Sequence, residues 1–123
     1  MHQGLAYLHS RMPPVIHRDL SANNVLLDKN GNAKITDFGL SKLKVNSKID
    51  TNEAGGTGFY VAPEVLNKHK YDEKSDVYSW GVLSWEILTR KIPWQSQGFS
   101  VVQVLFRVGL SSCLGPLFSL QRC

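Results

Sequence analysis

Asp19, Asn24 and Asp37 are the residues of this 123-residue chain whose types and spacing could do chemistry together. Asn24 and Asp37 flank two short strand-like runs, Val25-Leu26-Leu27 and Ala33-Lys34-Ile35-Thr36, with Asn30-Gly31 between them. Asn-Gly in that setting is a strong hairpin signal, because a two-residue type I′ turn needs positive φ at both central positions. The spacing predicts pairing of Leu26 with Ile35, of Val25 with Thr36 and, one step further out, of Asn24 with Asp37. A bulge would shift that register by one residue without separating the two ends. A carboxylate and a carboxamide oxygen at one open hairpin end suit a hard cation. Mg²⁺ needs few protein oxygens, since water and the phosphate oxygens of a substrate complete its shell. Asp19 stands five residues before Asn24 in an aperiodic stretch, His17-Arg18-Asp19-Leu20, that reads as a loop. A loop carboxylate beside a metal-phosphate site can orient a hydroxyl and accept its proton.

These groups need elements to hold them. Met1, Leu5, Leu8 and Met12 recur at helical spacing as one apolar stripe, which reads as core and is stopped by Pro13-Pro14. Residues 40–61 are polar, glycine-containing and aperiodic, which predicts a loop. From Ser75 to Ile92 the chain is apolar almost all round, predicting a helix buried on every side. Asp76, Glu86 and Arg90 make that segment too polar to span a membrane. Asp76, beside Ser75 at its start, has a helix-capping reading. Trp80, Trp85 and Trp94 are assigned to packing.

Three strings in order, "HRDLSANN" at 17–24, "DFG" at 37–39 and "APE" at 62–64, resemble the signature set of the eukaryotic protein-kinase catalytic domain. The resemblance covers residues 1 to about 110. It implies an α+β fold, a kinase-like C-lobe that is mainly helical with a short β-hairpin next to the catalytic loop. It also implies ATP-dependent phosphoryl transfer to a protein hydroxyl, with Asp19 as base and Asn24 and Asp37 on Mg²⁺. "GLAYLHS" resembles the end of the helix before the catalytic loop, and His17 and Phe38 resemble aromatics packed beneath the active site. Residues 40–61 resemble an activation segment, in which Ser47 and Thr51 are candidate phosphosites and Thr57 a substrate-positioning residue. Arg18 is then the cation for a phosphorylated loop residue, since guanidinium binds phosphate bidentately. The helix from Ser75 resembles the central C-lobe helix, which adds a second role for Asp76, accepting backbone amides of the loop from His17 to Asp19. "GGTG" opens no helix after a strand and is not a phosphate cradle.

The departures from the pattern carry as much weight. Ser/Thr kinases carry a Lys two residues after the base and tyrosine kinases an Arg four residues after it, where this chain has Ser21 and Asn23. Less charge stabilisation is available to a transferring phosphate. The mixed pattern resembles the tyrosine-kinase-like group, and Thr57 and Tyr60 favour Ser/Thr specificity over Tyr. A glycine-rich loop, a strand Lys and its helix Glu have no counterpart in these residues, so the resemblance expects an N-lobe from upstream sequence and no catalysis by this chain alone. "FSVVQVLFRVGL" resembles the next helix, whereas "SSCLGPLFSLQRC", 111–123, stands where the last C-lobe helices are expected. That tail reads as disordered, and Glu64 is left without the Arg the family pairs it with.

Composition narrows the remaining classes. The net charge of +4 is not gathered into a basic run, which argues against nucleic-acid binding. No signal peptide or spanning segment is recognisable. Cys113 and Cys123 both lie in the tail and make no disulfide framework, so a cytoplasmic, reducing setting is expected. Two other readings stay open: a non-catalytic kinase-like binding module, and a truncated product with no activity of its own.

Overall fold

The computed structural model describes residues 2–43, 58–66, 72–94, 98, 100 and 103–104. Ser47, Thr51, Thr57 and the 111–123 tail lie outside the described residues, as does Met1. The elements run α1 (His2–His9), β1 (Val15–Ile16), a 3₁₀ turn (Ala22–Asn24), β2 (Val25–Leu27), β3 (Ala33–Ile35), β4 (Lys42–Leu43), α2 (Pro63–Leu66) and α3 (Glu73–Thr89). β1 pairs antiparallel with β4, and β2 antiparallel with β3. Among the described residues, helices and small antiparallel strand pairs thus alternate with loops rather than with parallel strands, as an α+β chain requires.

The hairpin forms, but one residue out of the expected register. Val25 pairs with Ile35, Leu26 with Lys34 and Leu27 with Ala33, so Asn24 stands opposite Thr36 and not Asp37. The cause is Asp28. Its Oδ1 accepts the amides of Asn30 at 2.9 Å and Asn32 at 2.8 Å, while Asp28 N donates to Asn32 O and Gly31 N to Asp28 O, both at 2.9 Å. That Asx turn closes a three-residue loop in which Gly31 takes φ 80°, and no two-residue turn forms on Asn30 and Gly31. A shift of one residue exchanges the faces of a strand. Val25 and Ile35 pack on the core, and Leu26 and Leu27 are exposed.

The Asn32 backbone and side chain, the Asn30 amide and the Lys34 charge hold the Asp28 carboxyl below its ordinary value of 3.8, against a smaller opposing effect of desolvation. A depressed folded pKa stabilises the fold above the unfolded value and loses that contribution as pH falls through the folded one. Asp28→Ala is therefore expected to be less stable than the parent at neutral pH, with the gap closing below the carboxylate range. Thermal melts of both chains along an acid series measure it.

Leu5 from α1, Leu20 from the loop after β1, Tyr60 from the stretch before α2 and Leu83 from α3 form one buried cluster, with Trp80, Phe59 and Val82 against it. Ala62 and Val65 form a second with Val61 and Tyr78, which seats α2 on α3. Among the described residues of the predicted stripe, Leu5 alone is buried and Met12 is 97% exposed, because α1 ends at His9 and Met12 no longer shares its face.

α3 starts one turn earlier than expected on Asp72, whose Oδ1 caps Lys74 N at 2.8 Å, so the capping reading of Asp76 gives way. Arg90, in the left-handed region at φ 55°, ends the helix before Ile92. Burial on every side is corrected as well. Ser75, Asp76, Ser79 and Leu83 are buried, while Trp85 is 44% and Leu88 84% exposed. The described elements pack against one face of α3, and apolar composition alone does not say which face meets a neighbour. Trp80 packs as expected and Trp85 does not.

Candidate active site

The loop carrying Asp19 is pinned on both sides by burial. Ile16 at the end of β1 and Leu20 in the core are fully enclosed, and His17 and Arg18 between them are buried too. Arg18 adopts φ 73°, a conformation that a non-glycine residue keeps only when its surroundings over-determine it. Asp76 supplies that constraint. Its Oδ2 accepts the His17 amide at 2.9 Å and its Oδ1 the Arg18 amide at 2.9 Å, and the imidazole of His9 reaches Oδ2 at 2.8 Å. A carboxylate 1% exposed is tolerable because donors on both oxygens replace its water.

Asn24 joins the loop to the hairpin. Its Nδ2 donates to Asp19 O at 2.7 Å and to Asp19 Oδ2 at 3.0 Å, and its own carbonyl accepts Thr36 N at 2.9 Å. The 3₁₀ turn at 22–24 makes this reach possible, with Asn24 N donating back to Ser21 O at 3.1 Å. His17 crosses to the same place. Its Nδ1 accepts the Asp19 amide at 3.3 Å while Nε2 meets Thr36 O at 3.0 Å, which sets the neutral tautomer with the proton on Nε2. The His17 ring lies edge-on to Phe38 with centroids 5.0 Å apart. His17 is thus a bonded strut as well as a packed ring, and Phe38 is half exposed.

Asp37 follows Thr36 directly, one residue beyond the Asn24–Thr36 pairing. Its backbone sits at φ 58°, its side chain is exposed, and Oδ1 accepts the Gly39 amide at 3.2 Å. A Cβ on Gly39 would stand 3.1 Å from that oxygen, so glycine leaves the carboxylate its room. The Arg18 guanidinium turns toward this stretch and donates from Nη1 to Leu40 O at 3.4 Å. Ser21, at the position two after Asp19, is fully buried, and its hydroxyl has no hydrogen-bond partner among the described residues. Among those residues no three His, Cys, Asp or Glu side chains gather into a metal-binding group.

Glu64 lies in the first turn of α2, where an acidic residue complements the helix N-terminus. Burial first, and then its charge, raise the Tyr78 phenol above 10.0. Tyr60 ties the same segment to α3. Its hydroxyl donates to the Glu86 carboxylate, and its carbonyl accepts Ser79 Oγ at 2.8 Å. Tyr60→Phe keeps the ring in the core and removes the donor, so it is expected to lose about 1–2 kcal/mol in urea unfolding.

His9 escaped the reading of the sequence. It stands one helical turn after Leu5, the residue of α1 that is buried, so the i+4 spacing was the signal for a core-side residue at 9. Asp76 and Asn24 are both legible in the sequence, and the structure brings both to the backbone around Asp19.

Comparison with known proteins adds a family. Residues 1–109 match the family model described as "Protein kinase domain". The chain is 46% identical over 107 residues to "Serine/threonine-protein kinase CTR1" of Arabidopsis thaliana, covering 87% of this chain and 13% of that protein. It is 44% identical over 107 residues to "Probable serine/threonine-protein kinase SIS8" of the same plant, covering 87% of this chain and 10% of that protein. It is 49% identical over 92 residues to "Dual specificity protein kinase shkC" of Dictyostelium discoideum, covering 73% of this chain and 18% of that protein. The chain therefore spans less than a fifth of the length of each of these relatives.

Proposed function

Because the chain belongs to the protein kinase domain family, we propose that it carries the catalytic-loop portion, the C-lobe, of an ATP- and Mg²⁺-dependent kinase that phosphorylates protein Ser or Thr hydroxyls in preference to Tyr. The observation that supports this most is the Asn24 side chain bonded to both the backbone and the carboxylate of Asp19, while Asp37 stands just past the Thr36 that Asn24 pairs with. With its NH₂ committed to Asp19, Asn24 offers Oδ1 as its ligand atom, and Asp37 offers an exposed carboxylate. Those two oxygens would hold Mg²⁺, whose charge would offset that of the phosphates of ATP.

Asp19 accepts the proton of the substrate hydroxyl, and Asp76 holds its loop. Arg18 and Glu64 support the activation segment, with Thr57 positioning substrate and Ser47 and Thr51 as its phosphosites. Residues 1–110 form the partial kinase domain, with 111–123 outside it, and the upstream N-lobe supplies the rest of the nucleotide cleft. The reaction belongs in the cytoplasm, and no described helix is long and apolar enough to cross a membrane.

A second reading, a kinase-like binding module without catalysis, is favoured by Ser21 and Asn23 standing where a loop cation is usual. Incubating the full-length protein that carries this chain with labelled ATP and mixed protein substrates separates the two. Mg²⁺-dependent label on Ser and Thr is the expected result. No label on Ser, Thr or Tyr would leave the binding module.

A further inference from the structure

Asn30-Gly31 is the one Asn-Gly pair in the sequence, and it lies in the hairpin turn without entering the proposed chemistry. Asn is a thermolabile residue. Before Gly it is most reactive, because no side chain shields the next backbone nitrogen from the Asn carboxamide. Once the Gly31 nitrogen has given its proton to hydroxide, it can attack Asn30 Cγ. The N–Cγ bond forms, the Cγ–Nδ2 bond breaks, and ammonia leaves with a proton taken from water. Water then opens the cyclic imide at either carbonyl, to aspartate or to isoaspartate, with no oxidant or reductant involved. Both residues are exposed, and among the described residues nothing but the chain neighbours stands within 4 Å of the place a Gly31 Cβ would take. Water and hydroxide therefore reach the pair.

The fold sets the pair against that reaction. Gly31 N donates to Asp28 O at 2.9 Å, and on the other side of the residue Asn30 N donates to Asp28 Oδ1 at 2.9 Å. Bringing Gly31 N onto Asn30 Cγ requires turning the peptide between them, which breaks the first of these bonds. Removing its proton in place would set an anionic nitrogen against a carbonyl oxygen. The Asp28 carboxylate is itself held. Asn32 N donates to Oδ1 at 2.8 Å and Asn32 Nδ2 to Oδ2 at 3.1 Å, with the Lys34 ammonium 3.7 Å from Oδ2. One residue, Asp28, thus clamps Asn30 on both sides.

We infer that Asn30 is a latent deamidation site and that Asp28 holds it shut, its Asx turn keeping the Gly31 amide away from the Asn30 carboxamide. Conversion would not be neutral for the hairpin. Either product puts a second negative charge two residues from Asp28, and isoaspartate also adds a backbone atom inside the loop that Asp28 N and Asn32 O close at 2.9 Å. The loop length that sets Asn24 opposite Thr36 is then changed.

The test ages the full-length protein that carries this chain at neutral pH and reads residue 30 by tandem mass spectrometry, which detects the amide turned to acid and separates isoaspartate from aspartate. A free peptide of residues 27–34 gives the unguarded rate. The parent is expected to react at least about tenfold more slowly than the peptide, and Asp28→Ala to recover most of that factor, since losing bonds to a charged acceptor eases opening by about that much. Asp28→Asn keeps an oxygen for the Asn30 and Asn32 amides and should stay near the parent, with Asp28→Ser, a weaker acceptor, between Asn and Ala. Tyr60→Phe weakens the fold outside the turn and should leave the rate at residue 30 unchanged.

A parent as fast as the peptide overturns the inference, and so does an Asp28→Ala protein no faster than the parent. Equal acceleration by Tyr60→Phe and Asp28→Ala overturns it too, because global unfolding would then govern the reaction. If Asp28→Ala does not fold, the Asn and Ser pair decides, and equal rates for the two remove Asp28 from the role of guard.

Discussion

Asp19→Asn in the full-length protein that carries this chain is expected to lower kcat for phosphate transfer about a thousandfold, within the range that a positioned general base contributes. The KM for ATP should stay within about twofold, because the role proposed for Asp19 is toward the hydroxyl and not the nucleotide. The substitution is nearly isosteric, and the geometry says why it is clean. Asn24 Nδ2 donates to the Asp19 backbone carbonyl and to Oδ2, and the carbonyl oxygen of an Asn side chain would still accept the second bond. The loop therefore keeps its shape while the proposed base is lost. Steady-state kinetics against a Ser/Thr protein substrate measures it. A fall of less than about tenfold would remove Asp19 from the role of base.

Asp76→Ala is expected to destabilise the fold by about 3–5 kcal/mol, the range found when one partner of a buried charged network is removed. Three donors lose their acceptor at once. The amides of His17 and Arg18 and the imidazole of His9 would face a methyl group in a site that admits almost no water. The left-handed backbone at Arg18 would lose its constraint as well. Asp76→Asn should fall between the parent and Ala. Its carbonyl oxygen can take one amide, but its NH₂ would be set against another donor. Urea unfolding of the three chains gives the order. A loss below about 1 kcal/mol for Ala would mean that the loop holds its shape without α3.

Both expectations depend on bonds that join distant parts of the chain, and the two kinds of feature separate on that line. Residues close in sequence were legible. Asn30-Gly31 announced a hairpin, and the order of "HRDLSANN", "DFG" and "APE" a kinase domain, which the match over residues 1–109 bears out, whereas α1 ends at His9, ahead of the stop expected at Pro13-Pro14. The register was not legible, although every residue that sets it lies within the turn. Asp28 could close a turn of either length, and hydrogen bonds to Asn30 and Asn32 chose the longer one.

The amino-acid sequence by itself determined the family, the hairpin, the helix around Ser75 and the proximity of Asp19, Asn24 and the hairpin end, because local backbone chemistry and short spacings suffice for these. The tertiary structure decided which face of α3 is buried, and it added His9 to the loop amides that the kinase resemblance already implies for Asp76. Asp76 lies 58, 59 and 67 residues from Arg18, His17 and His9, and only the packing of α1, the loop and α3 about one core brings their donors to a single carboxylate. Sequence spacing carries no distance between elements, and burial depends on it.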